Sequence, residues 1–67
     1  MLENVLVGNE YRNIKTGNIY LVTDIAKYSE NPSQRFVIYE QTGIPFAESW
    51  ARPLELFKEK FTEVVDD

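Results

Sequence analysis

A mainly β fold, a small antiparallel barrel, is what this 67-residue sequence predicts, and three observations predict it. Short runs of β-branched and aromatic residues recur between turn signals every 8–12 residues or so, roughly the spacing of small all-β domains. The best run, residues 19–27, alternates Ile19, Leu21, Thr23 and Ile25 on one face with Tyr20, Val22, Asp24 and Ala26 on the other. Arg52-Pro53-Leu54-Glu55-Leu56-Phe57 then reads as one short helical turn before the last strand, with Pro in the first turn, where its missing N–H is no loss. Together these fit an SH3-like antiparallel β-barrel, whose closure also removes the exposed edges a small sheet would present.

Taken in order, residues 1–7 either open a strand at Val5 and Val7 or fray. Gly8-Asn9 signals a turn, and residues 11–14 a short strand. Lys15-Thr16-Gly17-Asn18 is a tight connection, because Gly and Asn tolerate positive φ. Residues 28–34 carry Ser, Asn and Pro and read as a loop. Residues 35–41, with Phe36-Val37-Ile38-Tyr39, form a second clear strand, and Thr42-Gly43-Ile44-Pro45 a turn. A short strand is expected over residues 47–50 and, over residues 61–65, a closing strand rather than the end of that helix, leaving Asp66-Asp67 as a solvated end. The whole chain, 1–67, is one domain, since so few residues support a single core.

Composition excludes more than it selects. With no Cys there is no disulfide framework, thiolate zinc site or cysteine nucleophile. With no His the commonest general base and metal ligand are missing, so no Ser–His arrangement exists. An enzyme is therefore not expected, and no cofactor is implied. No apolar window is long enough to span a membrane, and Met1-Leu2-Glu3-Asn4 lacks the basic start of a secretory signal, so a cytoplasmic location is the expectation. The net charge of −4 argues against broad nucleic-acid binding. Charge is uneven, however: residues 55–67 hold five acids and two lysines, whereas residues 11–52 hold five bases and four acids. A local cationic site is thus allowed.

The segments Glu10-Tyr11-Arg12-Asn13-Ile14-Lys15-Thr16-Gly17-Asn18-Ile19-Tyr20, Ala26-Lys27-Tyr28-Ser29-Glu30, Val37-Ile38-Tyr39 and Trp50-Ala51-Arg52-Pro53-Leu54-Glu55-Leu56-Phe57 carry a family resemblance. They resemble the bacterial and phage domain-of-unknown-function family 1653, whose pattern runs Y-R-H-x-K-G-x-x-Y, A-x-H-S-E, V-x-Y and W-x-R-P-x-x-M-F. The likeness covers residues 8–61, and Trp-x-Arg-Pro followed by Phe57 is its most specific part. It implies a small SH3-like barrel and no established activity. Two departures stand out: the family histidines are Asn13 and Tyr28 here, and Thr16 is an extra residue before Gly17. Any proton chemistry of those histidines is absent from this chain.

The residues most suited to binding are Tyr11, Arg12, Lys15, Tyr39, Trp50 and Arg52. Trp and Arg dominate binding hot spots, Arg offering a planar fork for phosphate or carboxylate and Trp a stacking face. Alternation sets Trp50 and Arg52 on one side of an extended segment. The competing reading makes Trp50 a core residue, with the Arg52 stem packed over it. If Arg12, Tyr39, Trp50 and Arg52 converge, they form an aromatic and cationic pocket. Asp24, Glu30, Glu40 and Glu48 read as solvated acids. The glycines at 8, 17 and 43 stand apart and form no phosphate loop. Leu54, Leu56, Phe57 and Phe61 have a spacing that serves either the core or a docked partner.

Two functions follow. The first is a non-catalytic protein that sequesters a small anionic ligand, such as a nucleotide signal, on the aromatic and Arg surface. So small a domain offers only a shallow pocket by itself, so this reading expects a homo-oligomer with sites between subunits. The second is an adaptor that binds a peptide or protein partner on the same surface.

Overall fold

The computed structural model describes residues 1–65. Five strands and one helix follow in the order β1 (Glu10–Asn13), β2 (Ile19–Tyr28), β3 (Asn31–Gln41), β4 (Trp50–Pro53), α1 (Leu54–Lys60) and β5 (Phe61–Glu63). All pairings are antiparallel, in one sheet ordered β4-β3-β2-β1-β5. The fold is thus mainly β, with one short helix before the last strand. That helix carries the chain from one end of the sheet to the other, so β4 and β5 are neighbours in sequence but occupy opposite ends of the strand order.

The strand alternation read from residues 19–27 holds only as far as Val22. Val22 pairs with Tyr39 and Asp24 with Ile38, so Thr23 is an extra residue in the ladder. Its hydroxyl donates to the Ile38 carbonyl at 3.3 Å. Such a bulge exchanges the faces of the strand. Val22 faces the core before it, and Ile25 packs against the core after it.

Three boundaries differ from the sequence reading. Residues 28–34 are not a loop: β2 runs to Tyr28, Ser29-Glu30 makes the turn and β3 starts at Asn31. Pro32 is tolerated there because the register shifts between Lys27 and Tyr28, and a proline fits where the ladder is irregular. The strand expected over residues 47–50 lies later, as Trp50–Pro53. Pro53 ends that edge strand and caps the helix from outside, with no side-chain cap. Finally, residues 1–7 neither form a strand nor stand away from the core. Leu2 and Val5 are buried, and the Leu2 N–H donates to the Lys58 carbonyl at 3.1 Å. The solvated end read at residues 66–67 lies outside the described residues.

The turns follow their residues. Gly17 (φ 80°) and Gly43 (φ 83°) occupy the left-handed region that glycine enters without penalty. Asn13 Oδ1 accepts the N–H groups of Lys15 and Thr16 at 2.9 and 3.1 Å, which folds the β1–β2 connection. The connection between β3 and β4 is less comfortable: Phe46 has φ 57° and is fully exposed.

The core consists of Leu2, Val5, Tyr11, Val22, Val37, Tyr39, Phe57 and Phe61. Phe57 and Phe61 are one helical turn apart, and the Phe61 N–H donates to the Phe57 carbonyl. Their rings stack 3.9 Å apart at an interplanar angle of 5°. Tyr11 meets Phe57 edge-on, and Tyr39 meets both phenylalanines edge-on. Fully burying one such ring is worth roughly 1.5–3 kcal/mol, so this aromatic cluster supplies what a small core without disulfides must have. Among the described residues, no helix is long and apolar enough to cross a membrane.

Candidate functional site

The site begins with strand β4. Pairing places Trp50 opposite Tyr39 and Arg52 opposite Val37. Side chains two apart share a face, so Trp50 and Arg52 project together beside Tyr39. Tyr39 lies edge-on to Tyr20 of β2 at 5.3 Å. At the other end of the sheet, Phe61 pairs with Asn13. Asn13, Tyr20, Tyr39, Trp50, Arg52 and Phe61 line a hollow of about 180 Å³.

Arg52 closes that hollow. Its guanidinium carbon lies 5.4 Å from the centroid of the Phe61 ring. Phe57 covers one face of that ring, so the guanidinium takes the other. A cation over an aromatic face is attracted by the ring quadrupole. Trp50, beside it, is half exposed at 54%, which rules out the reading that makes it a core residue. The Tyr39 hydroxyl is held above the usual tyrosine pKa. Burial is the main cause; the charge and donor groups of Arg52 act the other way, and repulsion from the ionisable phenol of Tyr20 adds a smaller upward push.

A second hollow of about 560 Å³ adjoins the first, with Asn13 and Arg52 as shared walls. Ile14, Lys15, Thr16, Glu59 and Lys60 complete it. Among the described residues the sole ion pair joins Lys58 to Glu55, at 3.6 Å on the helix surface. Lys15, Arg52 and Lys60 therefore have no carboxylate partner among them. Arg52 carries its charge half-buried against a ring, where a missing counter-charge is felt most.

Of the residues read from the sequence, Tyr39, Trp50 and Arg52 converge on the first hollow, and Lys15 lies on the second. Tyr11 and Arg12 stand apart from both. Tyr11 is buried at 3%, and its hydroxyl accepts the Leu6 N–H at 2.9 Å. It is a core residue because β1 lies between β2 and β5, and its inward face has no access to solvent. Arg12 points from the opposite face of β1 and donates from Nη1 to the Gly17 carbonyl at 3.0 Å, holding the turn. The sequence reading missed Asn13, Phe61 and Lys60. Lys60 follows from its place in the last helical turn beside Phe61, but the role of Phe61 as a platform depends on how the sheet curls. Among the described residues, no three His, Cys, Asp or Glu gather as metal ligands would.

The fold and the hollow define a small five-stranded antiparallel domain whose distinguishing surface is an aromatic hollow closed by one arginine. The family described as "Protein of unknown function (DUF1653)" matches residues 9–66, and the chain belongs to it. Comparisons with curated proteins and with solved structures give no match. Both family positions that depart here are placed by the fold. Asn13 organises the β1–β2 turn, and Tyr28 packs edge-on against Phe36 near the tip of the β2–β3 hairpin. A histidine at position 13 would stand at the wall between the two hollows, and one at position 28 far along the hairpin.

Proposed function

We propose that this protein is a non-catalytic binding domain of the SH3-like barrel type that holds a small anionic ligand with a planar ring, such as a nucleotide signal. The strand order β4-β3-β2-β1-β5 with a helical turn between β4 and β5 supports the barrel reading. One observation carries the function: Arg52 lies over the Phe61 ring with no carboxylate partner among the described residues. The ring of the ligand stacks on Trp50, and its anionic group meets Arg52. The aromatic hollow alone is smaller than most ligand sites, which are roughly 300–1,000 Å³. The ligand therefore extends into the second hollow or is completed by another copy of the chain. The absence of His and Cys supports binding without turnover. A bacterial or phage cytoplasm is the setting in which such a sequestering protein would act.

A second reading, docking of a protein partner, is favoured by a different observation. Ile44, Phe46 and Trp50 are large apolar side chains left exposed on and beside the β3–β4 connection. Aromatic side chains of this kind anchor interfaces.

The test combines solution mass with a thermal-shift screen against nucleotides. At a hundredfold excess over Kd, a bound ligand stabilises by about 2.7 kcal/mol. A shift abolished by Trp50→Ala and by Arg52→Ala supports the ligand reading. A monomer that no nucleotide stabilises, but that retains a stoichiometric protein partner through Trp50, replaces it with the adaptor.

A further inference from the structure

We infer that the anionic group of the ligand is a phosphate monoester, bound as its dianion across Lys15, Arg52 and Lys60. This rests on the ligand reading above and narrows its chemistry. The second hollow brings three cations from three different elements: Lys15 from the β1–β2 turn, Arg52 from β4 and Lys60 from the end of α1. One carboxylate, Glu59, faces the same space. The remaining side chains there, Asn13, Ile14 and Thr16, are neutral. Three positive charges against one negative charge leave two positive charges to be met. A phosphate monoester carries about −1.5 to −2 at pH 7, with a second pKa of about 6. A phosphodiester, whether a cyclic nucleotide or an internal linkage, carries one charge and leaves the site unbalanced. None of the three cations is held by a carboxylate among the described residues, so the ligand displaces no ion pair to reach them.

The composition of the chain makes this directly readable. It has no His and no Cys, so it lacks the side chains that ordinarily titrate between about 5.5 and 8. A change of affinity in that window that the monoesters show and the diesters do not therefore reports the second ionisation of the ligand phosphate.

The experiment measures, by titration calorimetry on the whole chain, a panel of nucleoside 5′-monophosphates and their 3′,5′-cyclic counterparts at pH 7.5 and pH 5.5. The monoesters are expected to bind roughly tenfold tighter or more than the cyclic diesters, the worth of one added charge-assisted hydrogen bond. Monoester affinity should fall about fourfold at pH 5.5, as a phosphate with a pKa of about 6 loses its second charge. The cyclic diesters should bind equally at both pH values. Lys15→Gln and Lys60→Gln, both at exposed positions, should weaken the monoesters more than the diesters and so close the gap between the two series. Equal affinities with no pH dependence would overturn the monoester assignment while leaving the ligand reading standing. Failure of both series to bind would remove that reading and this inference with it.

Discussion

The guanidinium of Arg52 lies 5.4 Å above the ring of Phe61, and this contact ties the two ends of the sheet together. Arg52 is on β4 and Phe61 opens β5, so the strands that the backbone ladder leaves at opposite ends meet through side chains. The same contact puts a charge on an aromatic floor next to an exposed indole.

Because the stem and the charge of Arg52 do different things, Arg52→Met separates them. Methionine keeps most of the packing and loses the cation. The cost in stability should be about 0.5–2 kcal/mol, the range of a partly desolvated cation–π contact. Urea unfolding measures this. Anion binding, in contrast, should fall by roughly tenfold or more, since a charge-assisted hydrogen bond is lost.

Tyr11→Phe is the complementary case. The hydroxyl of Tyr11 accepts the Leu6 N–H, and its ring packs on Phe57, but it touches neither hollow. Removing the hydroxyl should cost about 0.5–1.5 kcal/mol and leave ligand affinity unchanged. A change in affinity with unchanged stability would place Tyr11 at the site after all.

Phe46 offers a substitution in the opposite direction. A bulky side chain at φ 57° costs about 1–2 kcal/mol, and this one is fully exposed. Asparagine enters the left-handed region more readily. Phe46→Asn should therefore raise stability by up to about 1 kcal/mol, a rise in Tm of roughly 4–8 °C for a domain of this size. Loss of stability instead would show that the ring packs against something in solution, and gel filtration would then reveal a second copy.

Alkaline pH should weaken the fold through Tyr39. Burial raises the pKa of this phenol in the folded state above its value of about 10 in the unfolded chain. The native state thus holds its proton more tightly. The stabilisation is fully present below about pH 10 and is lost as pH rises through the higher folded value. Absorbance titration should show a phenol that ionises late, and Tyr39→Phe should remove both that phase and this part of the alkaline loss of stability.

Much of the sheet is legible because its signals are local. The two central strands declare themselves in Ile19 to Ala26 and in Phe36-Val37-Ile38-Tyr39, and the turns in Gly17 and Gly43. The pairing of Trp50 with Arg52 on one side follows from the period of an extended chain. What stays hidden is decided at long range. The bulge at Thr23 depends on the partner strand. Pro32 and Ser33 read as loop residues until a long partner makes them part of a hairpin. Leu2 looks like a loose end because its partner, Lys58, is distant in sequence. Tyr11 and Tyr39 are both core tyrosines, yet only Tyr39 also borders the hollow, and the strand order decides which of them does.

The pairing of Tyr11 with Glu63 also sets an order of events during synthesis. The β2–β3 hairpin can form as soon as it leaves the ribosome, since both its strands are contiguous. Strand β1 emerges earlier but lacks a partner on its outer side until residue 63 is free. The aromatic core waits as well, because Phe57 and Phe61 come late. The nascent chain therefore carries an unprotected edge on β1 until the last strand is free to pair with it.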